Sequence, residues 1–485
     1  MAVLAEIKPQ SVFAYFEKLC SVPHGSHNTK QISDMCVGFA KELGLKYRQD
    51  AANNVIIWKD ASAGYEGTDT VILQGHLDMV CAKTEDCKKD MAAEGLDLMT
   101  DGNYVWARDT SLGGDDCIAV AMALAILADD SIPHPALEAV FTTDEEVGMD
   151  GAFALDCSDL KGRMMLNLDS EAEGVFTVSC AGGVRVDCVM PGRQKPMKKG
   201  RSYAAYTVSL TGLQGGHSGA EIDKGRGNAN VLMGRVLFMA MKSIGGLRLA
   251  DFHGGQFDNV ICSSCEAVVA VGADQADEFE HFIAEFDGIL KNEYAAADAG
   301  IVLSCAPAEV RAACSRKKTE RILRTLYALP QGVQEMSMEL TGLPQTSLNL
   351  GVASMKEDGL HLTYSIRSCI GTQKEMMIQK VCSIVECAGG ATTLRSNYPG
   401  WQYAKESKLR DLVMAAYRDI SGQEGRIVAT HGGLECGLFI DKMPGLDAVS
   451  IGPELHDIHS VNERLSVAST QRLYELVCEV LRRCK

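Results

Sequence analysis

The chain has 485 residues, 46% of them hydrophobic and 23% charged. It is too long for one core and too apolar to stay unfolded, so two or three folded units are expected. The 64 acidic against 47 basic residues give a formal net charge of −17, which predicts no nucleic-acid partner and no anionic membrane partner, because affinity for phosphate comes from Lys and Arg. No apolar run approaches the ~20 residues needed to span a bilayer. The opening stretch MAVLAEIKPQSVFAYFEKLC lacks the basic-then-apolar order of a secretory signal. Most of the 18 cysteines lie inside apolar runs, where a reduced thiol behaves as a small hydrophobe. A cytoplasmic location is therefore expected.

Taken in chain order, QISDMCVGFAKEL predicts a helix and the short runs NVIIW and TVILQ predict strands. The apolar run DDCIAVAMALAIL predicts a long buried helix, and ALEAVFTT and RMMLNL predict further strands. This alternation predicts an α/β unit with a mainly parallel sheet and helices on both faces. The next segment, VRVDCVMPGRQKPMKKG, is rich in Gly, Pro and Lys and reads as a loop. Beyond it, the strand candidates AAYTVSL, NVICSSCEAVVAV, GIVLSC and LHLTYSIRS interleave with the helix candidates QADEFEHFIAEFDGILKNEY and KTERILRTLYALP. That pattern predicts an inserted α+β unit over residues 186–397, closing near SNYPGW. The α/β style then resumes with SKLRDLVMAAYRDI, DAVSIG and STQRLYELVCEVLRR, so residues 1–185 and 398–485 form one outer unit. The single CxxC, Cys262 to Cys265, has no second pair at zinc-site spacing and reads as packing.

Several outer-unit strand candidates run directly into metal-favouring residues. TVILQ leads to His76 and Asp78, ALEAVFTT to Asp144, Glu145 and Glu146, RMMLNL to Asp169, and DAVSIG to His456 and His459. The carboxyl ends of parallel strands form the ligand crevice of an open sheet, so these groups are expected to converge. Gly113 and Gly114 permit a tight turn, after which Asp115 or Asp116 is placed to cap the long helix, or to bridge two cations. Two imidazoles among several carboxylates suit zinc, with cobalt or manganese as substitutes, whereas magnesium and calcium prefer all-oxygen shells. In an extended segment, Asp78 lies on the same side as His76 and can orient its imidazole.

In order and spacing, GHLDMV, TSLGGDD, TTDEEVG, NLDSE, GGHSG, HGGLECGLF and HDIHSVNE resemble the motifs of the co-catalytic zinc exopeptidases that include peptidase T and the aminoacylases. Within that family, SVPHGSHNTKQISD and NYPGW resemble its dipeptidase branch. The resemblance spans nearly the whole chain and implies hydrolysis of dipeptides, Xaa-His among them, with a tripeptidase, an aminoacylase or a non-catalytic metal-binding relative as alternatives. It implies two zinc ions per chain. His76 and Asp169 would hold one, Glu146 and His459 the other, and Asp115 would bridge them, with Asp78 behind His76 and Glu145 as general base. Asp116-Cys117 stands where relatives often carry Asn-Gly, and Ile458 precedes His459 where they often have Pro. The resemblance further implies oxyanion stabilisation by His217, substrate contacts from Asn259, Arg367, His431 and Glu435, a short peptide as substrate, and a homodimer formed through the inserted lid unit.

Overall fold

The structure is a computed structural model that describes residues 2–198 and 200–485. It divides into two compact units. The first takes the chain up to Cys180 together with Tyr403–Ala429 and Leu434–Lys485, and the second takes Ala181–Gln402 and Thr430–Gly433.

The first unit is built on an eight-stranded sheet in the order Lys46–Gln49, Val55–Lys59, Leu137–Thr142, Val71–His76, Met164–Asn167, Asp447–Ser450, Val175–Cys180, Arg426–Thr430. Val71–His76 runs parallel to both Leu137–Thr142 and Met164–Asn167, and Met164–Asn167 runs parallel to Asp447–Ser450. Toward the edges the pairing turns antiparallel. The sheet is therefore mixed, because the short turn between Lys46–Gln49 and Val55–Lys59 permits only a hairpin. Every residue of Val71–His76 and Leu137–Thr142 is buried, the signature of strands covered on both faces. Gly114–Ala128 is a helix that is apolar all round and buried from Gly114 to Leu127, so it lies inside the unit, against Gln10–Leu19 and Val71–His76.

The second unit carries a nine-stranded antiparallel sheet. Its main path runs Val302–Pro307, Tyr203–Thr211, Cys265–Gly272, Arg248–Gly254, Pro344–Met355, Gly359–Ser368, Gly182–Pro191, Ala391–Tyr398, and Gly332–Met336 pairs with Pro344–Met355. Residues on Gly182–Pro191 alternate between more and less buried, so one sheet face packs a core that includes Val208, Leu237, Phe252, Leu323, Ile366 and Val381. Helices Ala229–Ser243, Ala276–Glu293, Arg316–Ala328 and Gly371–Cys387 contribute to it.

Two sequence expectations change here. VRVDCVMP is no loop but most of the ten-residue strand Gly182–Pro191, so the change of unit falls at residue 181 rather than 186. NVICSSCEAVVAV breaks into two strands, Val260–Ile261 and Cys265–Gly272. The CxxC spans that break with both thiols buried and free, and Cys262 Sγ lies 3.0 Å from the Ser264 carbonyl. Among the described residues, no helix is long and apolar enough to cross a membrane.

After Asp447–Ser450 the chain passes so close to a neighbouring loop that a Cβ on Gly452 would lie 1.5 Å from the Ser170 carbonyl oxygen. Gly452→Ala must push apart two loops that follow adjacent parallel strands. It should lower unfolding free energy by about 2 kcal/mol or more, read by denaturant titration. An unchanged midpoint would mean that the loops do not approach in this way.

Candidate metal centre

The parallel strands deliver their acids to one edge. His76 ends Val71–His76 and Asp169 follows Met164–Asn167 by two residues. His76 Nε2 lies 3.1 Å from Asp115 Oδ1 and 3.6 Å from Asp169 Oδ1. His459 Nε2 lies 3.2 Å from Asp115 Oδ2 and 2.9 Å from Glu146 Oε1. Asp115 thus turns one oxygen to each imidazole. Ligand atoms of His76, Asp115 and Glu146 all fall within 4.8 Å of one another, and so do those of His76, Asp116 and Asp169. Asp116, which the sequence offered beside Asp115 but which the family resemblance did not include among the ligands, is a member of the second group. Its Oδ2 accepts from the His76 backbone N–H at 3.2 Å.

The side-by-side acids of TTDEEVG are held by Asp78, which is fully buried. Its Oδ1 accepts from Glu145 N at 3.0 Å, and its Oδ2 accepts from Glu146 N at 3.3 Å and from Ser26 Oγ at 2.8 Å. The same carboxylate stands 3.5 Å from His76 Nδ1, whose nearer neighbour is the Asp78 backbone carbonyl at 3.0 Å. One side chain therefore ties the His76 strand end to the glutamate loop. Asp144, half-buried, serves the loop as well: it has φ of 54° and accepts from the His27 backbone N–H at 2.5 Å.

Neither Asp115 nor Asp116 caps the long helix. Both have non-helical backbone angles, and no side chain caps that end. The orphan N–H groups go instead to Glu463, which is buried and accepts from Leu112, Gly113, Gly114 and Asp115 at 2.7, 3.1, 2.8 and 3.4 Å. His456 does not compete with His459. It is exposed, pairs with Glu454 at 4.0 Å and packs against the Tyr104 ring.

The electrostatics bear on what the pocket would hold. Burial pushes Asp169 up to about 7 and Asp116 and Glu145 well above the usual carboxylate range. Burial works against ionising Asp115 too, yet hydrogen bonds to His459 and His76 hold it low. Hydrogen bonds to Asp115 and Glu146 push His459 up to about 10. Burial opposes charge on His76, but Asp115, Asp169 and Asp78 outweigh it. The acids draw protons onto both imidazoles, and a divalent cation is the stronger counter-charge for the same oxygens. Two imidazoles with several carboxylates fit zinc.

Glu435 opens the helix Glu435–Lys442 and is fully buried. Its Oε2 accepts from Gln74 Nε2 at 2.5 Å and Thr142 Oγ1 at 2.7 Å. Its Oε1 has no partner among the described residues, and burial pushes the group up to about 7. Gln74 in turn accepts from Asn167 Nδ2 at 2.5 Å. Buried amides inside otherwise apolar strands are the sequence signal that could have found this support, as HSVNE could have found Glu463.

In the second unit, Gly216–His217 forms a short ladder with Val260–Ile261, and Ser218 N donates to the Asn259 carbonyl at 2.8 Å. A Cβ on Gly216 would lie 2.3 Å from Arg226 Nη1 and its φ is 131°, so glycine is required beside His217. His217 Nδ1 accepts from Ala220 N at 3.1 Å. Burial and the Arg367 charge lower its pKa, and in the neutral ring the proton then sits on Nε2 as a free donor. Arg367 is 6% exposed, donates from Nη1 to the His431 carbonyl at 3.3 Å, and forms no ion pair with a carboxylate among the described residues. His431 Nε2 lies 2.7 Å from Ser347 Oγ, and burial pushes the ring down to about 3, so it is neutral.

Among the described residues, Glu463 is the sole side chain holding the N–H groups that precede the Asp115 carboxylate. Glu463→Ala should lower metal occupancy at limiting metal by at least about tenfold while the fold persists, measured by metal analysis after dialysis and by circular dichroism. Unaltered occupancy would remove Glu463 from the support of the centre.

A family model described as peptidase family M20/M25/M40 matches residues 72–483. The cytosol non-specific dipeptidase of Escherichia coli (strain K12) is 37% identical over 483 residues, covering 99% of each chain. The crystal structure of aminoacylhistidine dipeptidase from Vibrio alginolyticus matches with a TM-score of 0.93 at 34% identity, covering 99% of this chain and 97% of that one. Aminopeptidase PepT from Bacillus cereus shares the fold, with a TM-score of 0.56 at 15% identity over 99% of each chain. On this agreement of sequence, fold and site chemistry, the chain belongs to the peptidase family M20/M25/M40.

Proposed function

We propose that the protein is a cytoplasmic metallopeptidase that cleaves dipeptides, Xaa-His among them, at a centre of two zinc ions. The observation that carries it is Asp115, with one oxygen 3.1 Å from His76 and the other 3.2 Å from His459. That geometry suits a carboxylate shared between two ligand groups, His76 with Asp169 and Glu146 with His459. The free cysteines and the two full-length relatives named as dipeptidases, one of them cytosolic, support the substrate class and the location.

When bound, such a pair of ions polarises the peptide carbonyl and makes water acidic enough to attack near neutral pH. Glu145 is the base. Its backbone is fixed by Asp78, and burial raises its proton affinity, which favours taking the proton of water before handing it to the leaving amine. The Nε2–H of His217 supplies a donor to the carbonyl oxygen as its charge develops. For that, turnover must bring the second unit to the centre, by hinge motion as a lid or from the partner in a homodimer. Arg367 and Asn259 receive the substrate carboxylate, and His431, neutral and seated on Ser347, lines that end. The free Oε1 of Glu435 is the atom that accepts a substrate amine, although its full burial makes this end the less accessible of the two.

Glu145→Gln should keep normal metal content while lowering kcat by roughly 10²- to 10⁴-fold, whereas Glu146→Gln should lose metal as well. Equal metal loss in both would reverse the assignment of base and ligand.

Substrate length offers a second check. With both charged ends read, a dipeptide leaves nothing unpaired, whereas a tripeptide strands a charged terminus. Across a panel of dipeptides, their tripeptide extensions and N-acyl amino acids, kcat/KM should be highest for dipeptides. Preference for N-acyl amino acids would instead make the protein an aminoacylase on the same residues.

A further inference from the structure

The hydrolysis proposed above uses no residue of the basic segment in the second unit. Residues 191–203, PGRQKPMKKGRSY, carry five cationic side chains and no acid in a chain of net charge −17. This segment, which includes the short strand Lys195–Pro196, precedes Tyr203–Thr211 at one end of the nine-stranded sheet, where Tyr203 pairs with Gly272 and Arg248 with Ala270. A cavity of about 560 Å³ opens there, lined among others by Arg201, Ser202, Tyr203, Arg248, Asp274 and Arg316. Arg201, Arg248 and Arg316 form no ion pair among the described residues, and Asp274 is the one acid in the lining. Arg248 lies over the Tyr203 ring, 5.6 Å from its centroid, which fixes the guanidinium at the cavity wall. Three unneutralised guanidiniums facing one cavity repel one another, and an anion offsets that cost.

We propose that this cavity binds a small molecule carrying a phosphate group. Arginine forks match phosphate oxygens two at a time, and the volume falls in the range of small-molecule sites. A polynucleotide would call for an extended basic surface rather than a cavity beside a single segment. The site is separate from the peptide site. Tyr203–Thr211 is nine residues long and rises about 3.3 Å per residue, so nearly the whole strand lies between the cavity and the turn leading to His217.

The test is calorimetric titration of the metal-loaded protein with AMP, using adenosine as the control without phosphate. AMP should bind and adenosine should not. Arg248→Gln/Arg316→Gln should weaken AMP binding at least about tenfold while dipeptide hydrolysis without AMP stays unchanged. Should that pair of changes prevent folding, Arg201→Gln, on an exposed position, should still weaken AMP binding at least about threefold. Absence of AMP binding at millimolar concentration would overturn the proposal. So would AMP binding equal in wild type and variants, which would place the nucleotide at the metal centre. Tighter, variant-sensitive binding of an RNA oligomer than of AMP would also overturn it, in favour of a polyanion surface.

Discussion

Everything in the first unit is arranged around a concentration of negative charge that protein alone neutralises poorly. Asp78, Asp115, Asp116, Glu145, Glu146 and Asp169 gather around two imidazoles at the carboxyl edge of one sheet. Like charges in a low-dielectric site cannot all ionise, so burial leaves Asp169 and Asp116 with raised proton affinity. The fully buried Val71–His76 and Leu137–Thr142 make this possible. The acids stand on the turns that follow these strands and at the start of the long helix, where Asp78 and Glu463 hold the backbone. Stability and function are coupled here, since a cation that relieves the repulsion also binds only the folded form.

Two backbone clamps convert that crowding into defined geometry. Asp78 accepts from both glutamate N–H groups while touching His76, so Glu145 and Glu146 are positioned by the same carboxylate that faces the imidazole. Glu463 collects successive N–H groups leading to Asp115. A carboxylate at a cluster of N–H groups is favourable on its own terms. Each clamp therefore spends an acid on shape rather than on metal. Glu145 and Glu146 are adjacent in sequence and Asp78 grips the N–H of both where the loop turns, while Glu146 reaches His459 at 2.9 Å.

Much of this was legible in the sequence, and the failures have physical causes. The parallel strands of the first unit are continuous apolar runs that end in His and acidic residues, so TVILQ, ALEAVFTT and RMMLNL announced the fold and where those side chains gather. Ala391–Tyr398 is an exposed edge strand with the sequence ATTLRSNY and carries almost no apolar alternation to read. Gly182–Pro191 was hidden by the Gly, Pro and Lys residues that follow it. The aspartates after Gly114 looked like helix caps because capping chemistry is local. The true partner, Glu463, lies 348 residues from Asp115, and pairing at that separation leaves no mark in periodicity. Gln74 and Asn167 were invisible for a related reason: a buried amide in a strand has meaning only once its partner Glu435 is placed.

The division of chemistry between the units follows from the same electrostatics. A hydrolase of short peptides needs acids for metal and base, but also donors for a carbonyl oxygen and a carboxylate terminus. An arginine set among the acids of the first unit would pair with them at once and have nothing left for substrate. Arg367 belongs instead to a sheet where it meets the His431 carbonyl and no carboxylate, and its Nε has no partner among the described residues. His217 shows the same logic. Beside the acids, His459 is pushed up to about 10, whereas in the second unit burial and Arg367 lower His217. The neutral ring keeps its Nδ1 on Ala220 and offers Nε2–H outward. Carried on separate units, the acids and these donors keep opposite electrostatic surroundings.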